Sequence, residues 1–502
     1  MRKLILLILI LIPTYGWSAT YYVCQSDSGD GDGTSYANCE SVASFNGGSF
    51  GELDSDTVYL CGTITSKVDP PDGGANDGTR VIISGTCPDH AGIISGVDLA
   101  ATGSDGALNA STPWTTIQDL TIQNTVGNND AYGIYLNAQG VTIDNCEISG
   151  NQNSGIIVFT GASDWIIEDS YIHENLTQGT IVTGTAANGI IRRNTYDQNG
   201  LTENASLCTS EDTSKSFSHN IYFDYQVTGE SLIYENILSN AACGQGIKMK
   251  ASAKMYNNLI YGSEERGIMH VEYAGVTATQ YAYNNVFYNN GIAGIGYFKE
   301  GEGTLTIYDY NNSIYASTYW HGWGGGIVLG GGIVDSFTAK NNAIYAPSDK
   351  YCIRINESSI PAVSDIDYNW CYGPSSDPVV YDGTARTWSY WQETLGFDTN
   401  GGNTTPGFTN PPTNLSLVEG ANVIDQGVDL GDTYTNGLNP NASWPLSVST
   451  FNQDSYGTGW EIGAYVYPTG EVEPGRVGTI AGDGSGSIPG GGSGSIVGSI
   501  IE

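Results

Sequence analysis

The stretch "MYNNLIYGSEERGIMH" occupies Met255–His270, and both its halves recur along the chain. The next copy, "YAYNNVFYNNGIAGIGY", occupies Tyr281–Tyr297. Each copy opens on an apolar run ending in Asn-Asn and closes on a phrase built around Gly-Ile. The opening phrase can be followed loosely through "TIQDL", "TIDNC", "IIEDS", "IIRRN", "LIYEN", "YDYNNS", "TAKNNA" and "IDYNW". Its aligned residues are Asp119, Asn145, Asp169, Asn194, Asn236, Asn258, Asn285, Asn312, Asn342 and Asn369. Most steps are roughly 22–30 residues, the range of stacked repeats.

The closing phrase reads "YGIYL", "SGIIV", "GTIV", "HNIYF", "QGIKM", "RGIMH", "AGIGY", "GGIVL" and "YCIRI" in turn. These runs are short, β-branched and aromatic, with no helical period. A coil therefore carries at least two strands separated by turns. One coil cannot bury its apolar face, but parallel stacking does so, with rungs about 4.8 Å apart. Asn tolerates the left-handed backbone of a tight corner. Stacked Asn amides also bond along the stack. The expected fold is all-β, a right-handed parallel β-helix solenoid with capping elements at both ends. Its hand follows the general crossover preference and the resemblance given below.

The boundaries follow from where this rhythm starts and stops. Residues 1–19, with Arg2 and Lys3 before a short apolar run, read as a secretory signal peptide. Residues 20–49 read as an N-terminal cap and 50–382 as the β-helix. Residues 383–470 read as a C-terminal cap region and 471–502 as a flexible Gly/Ser-rich tail. "TARTWSYWQETLGFD" (384–398) is the best helix candidate, with Trp388, Trp391 and Leu395 on one face.

Acidic residues number 53 against 17 Lys and Arg, a net charge of −36. Such a surface repels nucleic acid and suits neutral glycans or divalent cations. No later apolar run is long enough to span a membrane. Nine cysteines in an exported chain predict disulfides. Neighbours in sequence suggest Cys24–Cys39, Cys61–Cys87, Cys208–Cys243 and Cys352–Cys371, leaving Cys146 as a buried thiol.

Against that acidity, "GQGIKMKASAK" (244–254) concentrates Lys248, Lys250 and Lys254. The Gly-Ile phrases align on Ile134, Ile156, Ile181, Ile221, Ile247, Ile268 and Ile295 as inward residues. The outward columns then bring Lys248 and Lys250 beside Tyr222 and Asp224 on the rung before, with His219 at its entry and Glu272 ending the rung after. Two readings stay open. In one, the lysines recognise or act on an anion: β-elimination of a uronic-acid polysaccharide needs a base and a cation near the carboxylate. Lys248 or Lys250 is then the base, Tyr222 or His219 the proton donor, and Asp224 or Glu272 a site for Ca²⁺. In the other, the protein binds glycan or serves a cell surface without catalysis. Asp224 would contact substrate in the first reading. Trp320 and Trp323, with His321 in "STYWHGWGGG" (317–326), offer a stacking platform for sugar rings.

The repeat resembles the right-handed parallel β-helix, or pectate-lyase-like, superfamily over most of residues 50–382. A narrower stretch, "SHNIYFDY" through "GQGIKMKA", is similar to a group of secreted bacterial β-helix proteins. Their pattern is H-N-I-Y, then G-H/Q-x-x-K-x-R/K-A. Here it falls on His219, Asn220, Ile221 and Tyr222, then Gly244, Gln245, Lys248, Lys250 and Ala251. Lys250 stands where that pattern usually has Arg. The resemblance implies a site there. "WSYWQETLGFD", "ANVIDQGVDLGD" and "WEIGAYVY" resemble the capping elements of such proteins, with Glu461 and Val466 as departures. The Asn-Thr-Asp, Gly-His-Gly and Arg-Ile-Lys set of polygalacturonases and the Asp-Pro-His-Asp motif of alginate epimerases are absent from the sequence.

Overall fold

The computed structural model describes residues 18–99, 105–127, 130–201, 218–316, 324–332, 334–347, 350–356, 364–373 and 375–468. The chain winds as a right-handed parallel β-helix with three long sheets. The first has 14 strands, from Glu40–Ser41 to Asp365–Asp367, and the second 12, from Thr63–Ile64 to Trp370–Tyr372. The third also has 12, from Asp105–Ala110 to Thr384–Arg386. Parallel pairing already begins at Thr20, which faces Thr57. One coil reads Ala253–Tyr256, Leu259–Tyr261 and Arg266–Glu272, one strand in each sheet. The opening phrase thus holds two strands, and its Asn-Asn is the corner between them.

The two asparagines of that corner do different work. The first takes the left-handed conformation: φ is 54° at Asn257 and Asn284, 49° at Asn311 and 57° at Asn341. The second points inward and joins a buried ladder. Asn258 donates its backbone N–H and its side-chain amide to Asn285 Oδ1, both at 3.0 Å, and its amide also reaches the Ile233 carbonyl at 2.9 Å. The ladder runs from Asn194 through Asn236, Asn258, Asn285, Asn312 and Asn342 to Asn369, all 0% exposed. Every inward amide finds partners, as a buried polar group must. Asp119, Asn145 and Asp169 belong to the corner position, with φ of 56°, 49° and 52°. Their ladder neighbours are Leu120, Cys146 and Ser170. Cys146 N–H bonds Ser170 Oγ at 3.0 Å, and the Ser170 N–H bonds Asn194 Oδ1 at 3.0 Å. Burial pushes the Cys146 thiol up to about 12, so it is inert.

The Gly before most inward Ile residues has a steric cause; Asn220 and Cys352 take that place before Ile221 and Ile353. A Cβ on Gly155, Gly246 or Gly267 would sit 2.6–2.8 Å from the carbonyl oxygen of the next rung's equivalent residue. Gly267 would also press on Phe287 at 2.6 Å. The side-chain-free column lets the coils close to one rung spacing.

Both ends are sealed. The five-residue helix Val42–Asn46, capped by Ser41, sends Val42 and Phe45 into the core. At the other end Thr384–Arg386 turns antiparallel to Val379–Tyr381 and ends the parallel stack. The helix expected over 384–398 is confined to a short turn around a π-helical stretch, Tyr390–Thr394, because its first residues pair as that strand. Trp388 and Trp391 still face the core together, and Leu395 packs at its margin. Asp398 closes the Asn ladder: Oδ1 accepts the Asn369 N–H and amide at 2.9 and 2.8 Å, and Oδ2 accepts Trp391 Nε1–H at 2.9 Å. The following segment lies along the flank, where Phe408, Leu415, Val423 and Ile462 cover Val286 and Ala343.

Disulfides join Cys24–Cys39, Cys61–Cys87 and Cys352–Cys371, as the spacing suggests. Cys243 is disulfide-bonded, and Cys208 lies outside the described residues. The same is true of residues 1–17 and 469–502, which carry most of the expected signal peptide and the tail. Among the described residues no helix is long and apolar enough to cross a membrane.

Two outcomes test this architecture. Gly267→Ala should lower stability by about 1–3 kcal/mol in chemical denaturation, the usual cost of overpacking. Burial lifts the Asp398 carboxyl to about 7, against the pull of its three donors. A raised folded value means stability is fully present below the unfolded value and is lost as pH rises through about 7. The stability of the wild type relative to Asp398→Asn should therefore fall by a few kcal/mol between about pH 4 and pH 8. A flat difference would contradict the assignment.

Candidate functional site

The site lies on the outer face of the third sheet. Tyr222, Lys248, Met269, Gly296, Val328 and Arg354 are register partners on successive rungs. Period-two alternation places Asp224 and Lys250 on that face too, beside Val271 and Phe298. One rung earlier the alignment shifts by a residue. Thr180, not Ile181, pairs between Ile156 and Ile221, so Ile181 faces outward with Tyr222 and Val182 inward. The hydroxyl of Thr180 is accommodated inside by Tyr196 Oη at 2.9 Å.

Lys248 and Lys250 share one face, as expected, but neither is exposed: they retain 4% and 7% accessibility. Both reach the same carboxylate. Lys248 Nζ lies 2.8 Å from Glu300 Oε1, and Lys250 Nζ lies 2.6 Å from Glu300 Oε2. Burial pushes the Glu300 carboxyl up, but the hydrogen bonds and charges of the two lysines outweigh it and hold the group below its usual range. Each ammonium thus faces a counter-charge, not chiefly the other ammonium. The Lys250 ammonium also lies over the rings of Tyr273 and Tyr222, at 4.7 and 5.4 Å from their centroids. Tyr273 in turn stacks on Tyr225 at 4.1 Å.

Tyr222 donates to Asp224 Oδ1 at 3.0 Å, and Thr183 donates to Asp224 Oδ2 at 3.2 Å. Burial, then the Asp224 charge and hydrogen bond, push the Tyr222 hydroxyl well above its ordinary value, so it stays protonated. His219 is buried; its Nδ1 accepts the Gln245 N–H at 3.2 Å, and its ring lies 5.7 Å from that of Tyr222. Gln245 bonds Glu265, which pairs with Arg266 at 3.1 Å. Burial pulls the Arg266 guanidinium below its usual value, against the Glu265 charge. Lys254 stands apart from this group and pairs with Glu230.

Glu272 is not brought to Asp224. It has the inward parity of Ile268 and is 1% exposed. Tyr297 Oη, Lys299 Nζ and the Gly303 N–H hold its oxygens at 2.7, 3.1 and 3.0 Å. With Glu272 sealed inside and both Asp224 oxygens accepting hydroxyls, this pair does not fit Ca²⁺, which takes six or more oxygen ligands. Trp320, His321 and Trp323 lie outside the described residues.

Glu300, Tyr273 and Tyr225 complete the cluster, and the outward columns of the Gly-Ile phrases do not include them. The signal for Glu300 was present in "GYFKEGEG" (296–303): the alternation that turns Gly296 and Phe298 outward puts Glu300 on the same face.

Residues 94–229 match the family described as right handed beta helix region. In sequence, the chain matches none of the curated proteins. The protein XylC, solved in complex with xylose, is structurally similar, with a TM-score of 0.51 and 11% identity over 73% of this chain and 86% of that one. The pectate lyase Pel9A gives 0.47 and 13% over 90% and 97%. An alginate lyase from Paenibacillus sp. str. FPU-7 gives 0.41 and 15% over 58% and 95%. At these identities the likeness is one of fold: the class is the right-handed parallel β-helix.

Unequal costs are expected from dismantling the ion cluster. Glu300→Ala leaves two buried ammoniums unpaired and should cost about 3–5 kcal/mol. Lys248→Met leaves a one-to-one Lys250–Glu300 pair and should cost clearly less. Denaturation midpoints of the two variants, compared under one set of conditions, check the order.

Proposed function

We propose that the protein is exported and acts on an acidic polysaccharide, as a lyase that cleaves a uronic-acid-containing glycan by β-elimination. One observation carries this reading: two buried ammoniums on one outer wall converge on a carboxylate, in a chain of net charge −36. A scarce cation pair of this kind suits an anionic group of the substrate. The disulfides support an oxidising compartment.

In this reading one lysine, deprotonated, takes the proton from the sugar carbon alpha to the carboxylate. The other, charged, stabilises the enolate-like dianion that develops. The electron pair then forms the new carbon–carbon double bond as the bond to the leaving glycosidic oxygen breaks. Tyr222, which keeps its proton, supplies it to that oxygen; His219 is the alternative donor. Asp224 orients the Tyr222 hydroxyl and lies where substrate hydroxyls arrive. Trp320 and Trp323 are proposed as stacking residues for neighbouring sugars.

A second reading, glycan binding without catalysis, has an observation of its own. Glu300 neutralises the lysine that would have to act as base. The two readings separate on incubation with pectate, alginate and related polymers. A lyase generates unsaturated ends, seen as rising ultraviolet absorbance, and Lys248→Ala or Lys250→Ala should lower that rate by about 100-fold or more. Absorbance that stays flat across the panel, with glycan binding retained by the wild type, establishes the binding reading instead.

A further inference from the structure

The Lys248–Lys250–Glu300 geometry carries one step more, which rests on the anion-site reading above and concerns the binding state, with both lysines charged before either gives up a proton. The two ammoniums do not share an oxygen of Glu300. One meets Oε1 at 2.8 Å and the other Oε2 at 2.6 Å, so the pair is gauged to a planar carboxylate held by both ends. The lysine side chains are 6% and 8% accessible, while Glu300 retains 22%. The carboxylate is therefore the outer, solvent-facing member, laid over two inner cations.

Glu300 does not come from the lysine rung. Its neighbour Lys299 pairs in register with Glu272, one rung beyond the lysine strand Ile247–Met249 and one before its own strand, Ala293–Lys299. Glu300 itself begins the turn between that strand and Thr304–Tyr310, tied by its N–H to the Glu272 carbonyl at 2.8 Å. The side chain reaches back along the helix axis to the lysines. Rotation about its own side-chain bonds withdraws it without moving the sheet.

We infer that Lys248 and Lys250 form a subsite for a single carboxylate, one oxygen per ammonium, and that Glu300 fills this subsite in the free protein. A uronate carboxylate enters by exchange with the Glu300 carboxylate. The exchange conserves charge: one carboxylate leaves as another arrives, and no buried ammonium is stranded. It also sets the ligand class. A planar monoanion with two equivalent oxygens matches the spacing, whereas a neutral sugar offers nothing to displace Glu300. An internal occupant lowers the apparent affinity by the fraction of time that it holds the site.

Calorimetry with a galacturonate trisaccharide, and with maltotriose as the neutral control, tests this on the full chain. Glu300→Gln should bind the uronide about tenfold or more tightly than the wild type, and the gain should vanish when Lys248→Ala and Lys250→Ala are added. Glu300→Asp keeps the charge but shortens the reach, so it should also tighten binding; it decides the matter if Glu300→Gln fails to fold. Uronide binding that is equal or weaker in these variants overturns the inference. If the wild type binds and the lysine variants do not, the anion-site reading still stands. Uronide binding by no variant at all, or equal binding of maltotriose, removes both.

Discussion

The constraint on which the rest depends is the distance between coils. Parallel strands sit one rung apart only if nothing on the inner corner intrudes and every buried polar group finds a partner in the next rung. The Gly column meets the first demand over most of its length, since a Cβ at Gly155, Gly246 or Gly267 would press against the next carbonyl; Asn220 and Cys352 interrupt it. The Asn ladder meets the second, with each amide answering the coil ahead and the carbonyl behind. An amide satisfied in this way fixes register as well as stability, because a slip of one residue would leave several buried amides unpaired together. Asp398 ends the ladder by accepting on both oxygens, from Asn369 on one and Trp391 on the other, in a last rung whose burial raises its carboxyl.

That register carries through to the outer wall. With Ile221, Ile247, Ile268 and Ile295 stacked inside, the residues after them must stack outside in one file. Lys248 and Lys250 are thereby aimed together by the backbone, without a loop to position them. A rigid wall is suited to holding two like charges close, because the strands on either side resist their separation. Their burial has a matching cause: Tyr222 and Tyr273 flank the ammoniums with aromatic rings, and Glu300 covers them.

Much of this was legible from the repeat. Short runs without helical period, Asn-Asn at a corner and Gly-Ile after it define a stacked coil, and the period of two puts Lys248 and Lys250 on one face. The misreadings have physical causes. Asp119, Asn145 and Asp169 resemble ladder residues, but Asp and Asn suit the left-handed corner as well as the ladder, and composition does not say which of two adjacent positions is meant. Ile181 looks inward because it is apolar, yet Thr180 takes the inside by bonding Tyr196. Glu272 looks like a partner of Asp224 only if parity is ignored. Aromatic spacing over 384–398 suggests a full helix, but the need to end a parallel sheet turns its first residues into an antiparallel strand.

Glu300 shows where sequence reading stops and why. Its direction was available from the alternation through Gly296 and Phe298, but its length of reach was not. A glutamate side chain at the end of a strand can fan over several neighbours, and the choice among them is made by charge. Around Glu300 the nearest basic groups are Lys299, taken by Glu272 and Glu302, and the two lysines behind it. Once buried Glu272 is committed to Lys299, whose ammonium also meets exposed Glu302, Glu300 is left to answer the outer pair. The inner carboxylate that seemed to offer a metal ligand instead fixes Lys299. In doing so it leaves the outer carboxylate to the lysines, so the two faces of one sheet are coupled through a single turn of chain.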